Sequence, residues 1–203
     1  LMTPVLFAAM GGSFGHKAKV LCLGLESFMA FAAFFAMYGS YTFESAYAGL
    51  LFGVLSAMIA SCIFAVFVLI FKSTPVIVGI ALNLAAWGGT TYLLSMIFKT
   101  RGVFIDPQIK SFGSIDIPLI KDIPYIGKFL SGQNILVYLS LVFMIIAYII
   151  MFKTPFGLRL RGVGIKKIAA QTVGVNATKY QFIAILIGGM LCGFGGSFLT
   201  IGG

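Results

Sequence analysis

Few residues in this chain carry side chains able to do chemistry, and they fall into two groups. Glu26, Asn83 and Trp87 form the first, each inside a long apolar run. A carboxylate at the centre of a membrane span costs about 2.5–3.5 kcal/mol on insertion scales, so Glu26 marks a functional position by default. Gly24 precedes it and Ser27 follows, a composition that admits a local break in a helix. The plainer alternative puts Glu26 near the membrane surface, paired with Lys17 or Lys19. Asn83 and Trp87 are four residues apart and so share one helix face. An amide beside an indole suits a sugar or a nucleobase. The plainer alternative is an interhelical hydrogen bond next to an interior aromatic.

The second group is cationic. Between residues 153 and 179 stand Lys153, Arg159, Arg161, Lys166, Lys167 and Lys179, with no acid. Pro155 and Gly157 suggest a turn. Ile165 to Val173 reads as a short amphipathic helix, with Ile168, Ala169 and Thr172 on one side and Gly174 as its stop. A short helix flanked by turns can hand force to a soluble partner. It can equally lie on membrane lipid, drawn to anionic headgroups. The residues alone leave both open.

Catalytic motifs are missing. There is no GxxxxGK[ST], HExxH or GxSxG, so neither a P-loop nucleotide site nor a hydrolase centre is expected. Cys22, Cys62 and Cys192 all lie in apolar segments without a CxxC or a Cys/His cluster. They read as small buried hydrophobes, not as metal ligands. The expectation is a non-catalytic protein with no cofactor and no metal.

The elements that must position these groups are apolar. Of 203 residues, 60% are hydrophobic and 9% charged, and the mean hydropathy is +1.08. Soluble domains carry about a quarter charged residues, and a chain this poor in them cannot present a wettable surface. Its solvent is lipid. The runs are Val20–Tyr38, Ala46–Phe71, Val76–Phe98, Ile135–Phe152 and Tyr180–Ile201, with a shorter one at Leu1–Phe14. Continuous runs of this length are helices, since barrel strands alternate over only ~10 residues. The expected fold is all-α: a polytopic transmembrane helix bundle of about six spans, one domain over 1–203. A start at Leu1 and a stop in a Gly-rich run make both ends read as truncated. Gly49-x-x-x-Gly53 and Gly189-x-x-x-Gly193 have the spacing of ordinary close helix packing.

Loop charge gives an orientation. The net charge of +9 sits in short loops, a positive-inside bias that argues against nucleic acid as a partner. Residues 153–179 are the strongest cytoplasmic signal. Residues 99–134 then form an external loop, where Lys99, Arg101, Lys110, Lys121 and Lys128 mix with Asp106, Asp116 and Asp122. By alternation the Lys72 turn lies inside, the Tyr38–Ser45 turn outside and the His16–Lys19 cluster inside.

Four stretches carry a family resemblance. They are KTPFGLRLRGVGIKKIAAQTVGVN (Lys153 to Asn176), STPVIVGIALNLAAWG (Ser73 to Gly88), KVLCLGLESFMAFAAFF (Lys19 to Phe35) and IPLIKDIPYIGKFL (Ile117 to Leu130). With them the chain resembles the permease subunits of bacterial simple-sugar and nucleoside ABC importers, a group that includes ribose and branched-chain amino acid permeases. The fourth stretch is similar to the nucleoside branch. The resemblance implies a permease in the bacterial cytoplasmic membrane that pairs with a second permease subunit. It also implies cytoplasmic ABC ATPase subunits docking on the 153–179 segment, and an external substrate-binding protein or lipoprotein. Phe156, Gly157, Leu158, Arg159, Arg161, Gly164, Ala169, Ala170, Val173 and Gly174 match the family's coupling motif, which favours ATPase docking over lipid for that segment.

The chain also departs from the pattern. Cys22 stands for the usual Asn, Ser27 for Gly, and Ile165, Lys166 and Lys167 for an Glu-Asn-Pro-Arg-like run. Thr74 and Pro75 replace a polar pair, which leaves the substrate open between nucleoside and simple sugar. Glu26, Asn83 and Trp87 are the expected substrate path. The rival class is an ion-coupled secondary transporter, for which only Glu26 supplies an acid inside a span.

Overall fold

The computed structural model describes residues 2–99 and 135–202, and every element in them is helical. Residues 100–134, which hold most of the expected external loop and the Ile117–Leu130 stretch, lie outside the described residues. In chain order the helices are α1 (Met2–Lys17), α2 (Leu25–Phe43), α3 (Ala46–Ala65), α4 (Pro75–Phe98), α5 (Ile135–Lys153), α6 (Pro155–Ile165), α7 (Lys167–Thr172) and α8 (Ala177–Ile201). A π-helical turn, Val66–Ile70, continues α3.

Each long apolar run becomes a helix of the bundle. Four stretches are long and apolar enough to cross a membrane: Ala46–Ile70, Pro75–Phe98, Leu136–Lys153 and Ala177–Ile201. The two remaining runs become α1, of 16 residues, and α2, which carries Glu26 in its first turn. Both pack in the same bundle. The second run does not start its helix at Val20. Residues 18–24 are irregular, and α2 begins only at Leu25.

Small residues decide the packing. Of the most apolar stretch of α8, 61% is buried, against 11% for α4; α8 is the centre of the bundle and α4 an outer wall. The glycines of α8 let three helices reach its backbone. Gly188 faces the backbone of Gly11 on α1, Gly193 faces Val54 on α3, and Gly196 faces Met29 and Ala32 on α2. On α3, Gly49 lies against the Ala36 carbonyl of α2 and Gly53 against Ser197 of α8 and Ala32 of α2. Between α1, α5 and α8, Phe7, Phe143 and Phe194 interlock, with the Phe143 and Phe194 rings 4.9 Å apart. Cys192 is buried, Cys22 and Cys62 are half-buried, and all three are free thiols.

This geometry makes a stability prediction. A methyl at position 196 would meet the Met29 carbonyl and Ala32 Cβ at 2.7 Å, whereas one at position 88 meets nothing within 4 Å. Overpacking of this kind costs about 1–3 kcal/mol. Gly196→Ala should lower the melting temperature in detergent and Gly88→Ala should not; equal melts would show that the α2–α8 contact is not tight.

Candidate functional site

The polar pair arises from a break in the membrane-side path. The end of α1 closes with Lys19 in the left-handed region, φ 56°, and Gln181 of α8 donates from Nε2 to the Ala18 carbonyl at 3.0 Å. The chain then runs irregularly along α4, where Gly79 makes room: a Cβ there would stand 2.9 Å from Leu23 Cβ and 3.3 Å from Gly24 N. The N-terminus of α2 therefore starts inside the bundle. Its first turn has amide donors without intrahelical partners, and Gly24, the N-cap residue, has no side chain to satisfy them. Asn83 of α4 does so across the helix pair: its Oδ1 accepts from the buried Ser27 N at 3.1 Å. Its Nδ2 donates to Glu26 Oε2 at 3.5 Å. Asn83 lies eight residues beyond Pro75, so this cross-cap sits about 12 Å along α4 at 1.5 Å per residue.

Glu26 thus finds its partner on α4. The sequence offers Lys17 or Lys19 as partners; among the described residues the carboxylate takes neither, because the irregular connector carries α2 away from the α1 terminus. Glu26 itself is exposed. Trp87, one turn along from Asn83, is 65% exposed and is no interior aromatic. Further along, α2, α4 and α8 border a groove of about 280 Å³ that Thr90, Thr91 and Thr200 line with Ala30, Ala33 and Met37. The hydroxyls of Thr90 and Thr91 bond back to the Ala86 and Trp87 carbonyls at 2.6 and 2.7 Å. Of the three expected substrate-path residues, Glu26 and Asn83 are therefore in direct contact, and Trp87 stands exposed one turn along α4 from Asn83.

The cationic segment folds into two helices, not one. Thr154 caps α6 by accepting from Gly157 N at 3.3 Å, and Pro155 occupies the first turn, where a missing N–H does no harm. Pro155 and Gly157 thus start a helix instead of making a turn. Gly157 is needed because a Cβ would run into the Met151 and Ile150 carbonyls of α5. Leu160 and Val163 are buried beneath α6, while Leu158 is exposed. Lys166 is extended (φ −141°, ψ 98°) and separates α6 from α7, so the expected Ile165–Val173 helix shortens to Lys167–Thr172. Gly174, with φ +82°, follows the end of α7. Ala169 is exposed and Ala170 half-buried on α7, and Ile168 and Val173 are 79% and 81% exposed.

The arginines of α6 are held in place. Arg159 Nη1 donates to the Tyr180 hydroxyl at 2.9 Å, which raises the guanidinium above its ordinary pKa. Phe156 packs on the Tyr180 ring at 5.6 Å. Arg161 lies 5.2 Å over the Phe152 ring. Gly164 presses against the Lys17 carbonyl, with no room for a Cβ. Sequence reading missed this last contact and the roles of Ser27 and Gln181. None of these residues has a local pattern that could signal a partner so distant in sequence.

A glycine-centred bundle of long apolar helices, with a carboxylate–amide pair between two of them and a basic two-helix elbow, defines a multi-pass membrane protein. A profile of the family described as branched-chain amino acid transport system / permease component matches residues 1–202, and the chain belongs to that family. It is 34% identical over 205 residues to the nucleoside ABC transporter permease protein NupC of Lactococcus lactis subsp. cremoris, covering 96% of this chain and 63% of the relative. It is 32% identical over 200 residues to the guanosine ABC transporter permease protein NupQ of Bacillus subtilis, covering 95% and 62%. A putative glucose ABC transporter permease protein of Haloferax volcanii is 25% identical over 203 residues, covering 98% and 60%. The chain thus spans somewhat under two thirds of the length of these relatives. No solved structure matches it.

Proposed function

We propose that this chain is the membrane-spanning permease portion of an ATP-driven importer that carries a nucleoside across the bacterial cytoplasmic membrane. Family membership supports the permease role, and the names of the two relatives above 30% identity favour a nucleoside over a simple sugar. The observation that carries the coupling role is the elbow of α6 and α7. It presents exposed Leu158, Ile168 and Val173 among basic residues, while its inner face is anchored on α1, α5 and α8. An apolar and cationic surface on a firmly seated helix suits a soluble partner that must push. In this reading residues 153–179 and the His16–Lys19 turn face the cytoplasm, and 99–134 face outside. ATPase subunits dock on the elbow, a second permease completes the path, and an external binding protein or lipoprotein delivers the substrate.

The substrate path runs along the open face of α2 and α4. Glu26 and Asn83 offer an acceptor and an amide to ribose hydroxyls, and Trp87 offers a ring to the base.

Co-purification tests the coupling role. The intact permease should retain its ATPase, and Arg159→Glu should lose it, because the reversed charge abandons Tyr180 and inverts the sign of the docking surface at that point. If the intact permease retains no ATPase at all, the importer reading fails and ion-coupled transport through Glu26 takes its place.

A further inference from the structure

We propose that the cavity between the α1–α2 connector and α6 holds the phosphate-bearing headgroup of an anionic phospholipid. The cavity has a volume of about 450 Å³, within the ~300–1,000 Å³ range of small-molecule sites. His16 and Lys17 from the end of α1, Lys19 from the connector and Arg161 from α6 line it, together with apolar Val20, Leu21 and Ile165. Among the described residues no carboxylate lines it. Among the described residues the only acids are Glu26 and Glu44, at the two ends of α2. Three fixed cations and a histidine around one space, without a counter-charge, favour an anion there.

The apolar walls select a lipid over a free anion. Leu21 and Ile165 are 61% and 77% exposed, so the cationic lining is continuous with open apolar surface. From Val20 the connector runs on to Leu23 and Gly24, which pack on Gly79 of α4. A free phosphate would use only the cations; a phospholipid uses the cations for its headgroup and the apolar wall for its glycerol and upper chains. The backbone around the site is fixed, by the packing of Gly164 on the Lys17 carbonyl and by the Gln181 bond to Ala18. The inference rests on the orientation proposed above, which places the cavity at the anionic cytoplasmic leaflet.

The test uses the intact permease with its ATPase in nanodiscs of phosphatidylcholine containing a minority of phosphatidylglycerol, with retained lipid counted by native mass spectrometry. Both leaflets carry both lipids, so the result does not depend on orientation or on transport. Wild type should retain phosphatidylglycerol preferentially. Lys17→Gln and Lys19→Gln, both exposed positions, should each lower that retention about five-fold, as expected for removal of one cation near an anionic lipid. Lys17→Arg should restore it. Ile165→Ser on the opposite wall should lower phosphatidylglycerol retention without changing the binding of inorganic phosphate. Wild-type retention in the Lys17→Gln/Lys19→Gln variant overturns the proposal. So does displacement of the lipid by inorganic phosphate at equal concentration, which would make the site one for a free anion. Loss of the ATPase with lipid retention unchanged also overturns it, and makes the cavity a protein dock.

Discussion

In the proposed importer, Gly164→Val is expected to lower ATP-driven uptake about 5- to 150-fold, the range of typical coupling free energies between sites, while the ATPase stays bound. The reason is a chain of contacts through the α1–α2 connector. A side chain at position 164 meets the Lys17 carbonyl and lies 3.7 Å from Lys19 N. The next residue, Ala18, is tied to Gln181 of α8. Leu23 and Gly24 lie on Gly79 of α4, and three residues on, Ser27 is capped by Asn83, which also touches Glu26. In the proposed importer, a shift of α6 driven by the ATPase reaches the substrate path along this one irregular strand of backbone. Wedging a branched side chain between α6 and Lys17 fixes that strand in one position. Gly162→Val is the matched control, since a Cβ there meets nothing within 4 Å. Proteoliposome uptake and ATPase co-purification read the two outcomes separately. Normal uptake in Gly164→Val would remove the connector from the coupling route. Loss of the ATPase would make Gly164 part of the dock instead.

Some of this was legible in the residues and some was not. Apolar runs and turn residues carry helices, because backbone polar groups in lipid must be satisfied within the segment. That is why Ala46–Phe71 and Ile135–Phe152 closely anticipate α3 with its π turn and α5. Gly49 and Gly53, and Gly189 and Gly193, were legible as packing faces, but not which helix each would meet. That depends on the order of helices around α8. The cap on α2 was illegible for a similar reason. Local rules look for a capping side chain at the N-cap itself, and the side chain that does the work is 59 residues after Gly24, on another helix. Gly24 and Ser27 suggested a break, and the break is there; Asn83 as its partner needed the fold. In the elbow, Pro155 and Gly157 have the composition of a turn. Thr154 reverses that reading by supplying a cap, and the glycine is required by the approach to α5, not by a turn conformation.

In the proposed nucleoside importer, Glu26→Gln should lower uptake about 10- to 100-fold, since hydrogen bonds to a charged group contribute about 1.5–3 kcal/mol. The carboxylate is exposed, carries one amide contact at 3.5 Å, and has no cation beside it among the described residues. It is thus free to accept from neutral donors, and the paired hydroxyls of a ribose are such donors. Trp87→Ala should act on the other half of the substrate. Loss of base–aromatic stacking of about 1–3 kcal/mol should raise the half-saturating nucleoside concentration while leaving inhibition by free ribose unchanged. Asn83 separates structure from recognition. Asn83→Ala leaves the buried Ser27 amide without its acceptor, at a cost of about 1–3 kcal/mol, so it should lower the melting temperature as well as uptake. Asn83→Asp keeps the acceptor for Ser27 but sets a second carboxylate against Glu26. It should preserve much of the stability and still impair uptake, through repulsion between two like charges. If Glu26→Gln and Asn83→Asp both transport normally, the pair is a helix cap alone and the substrate passes elsewhere.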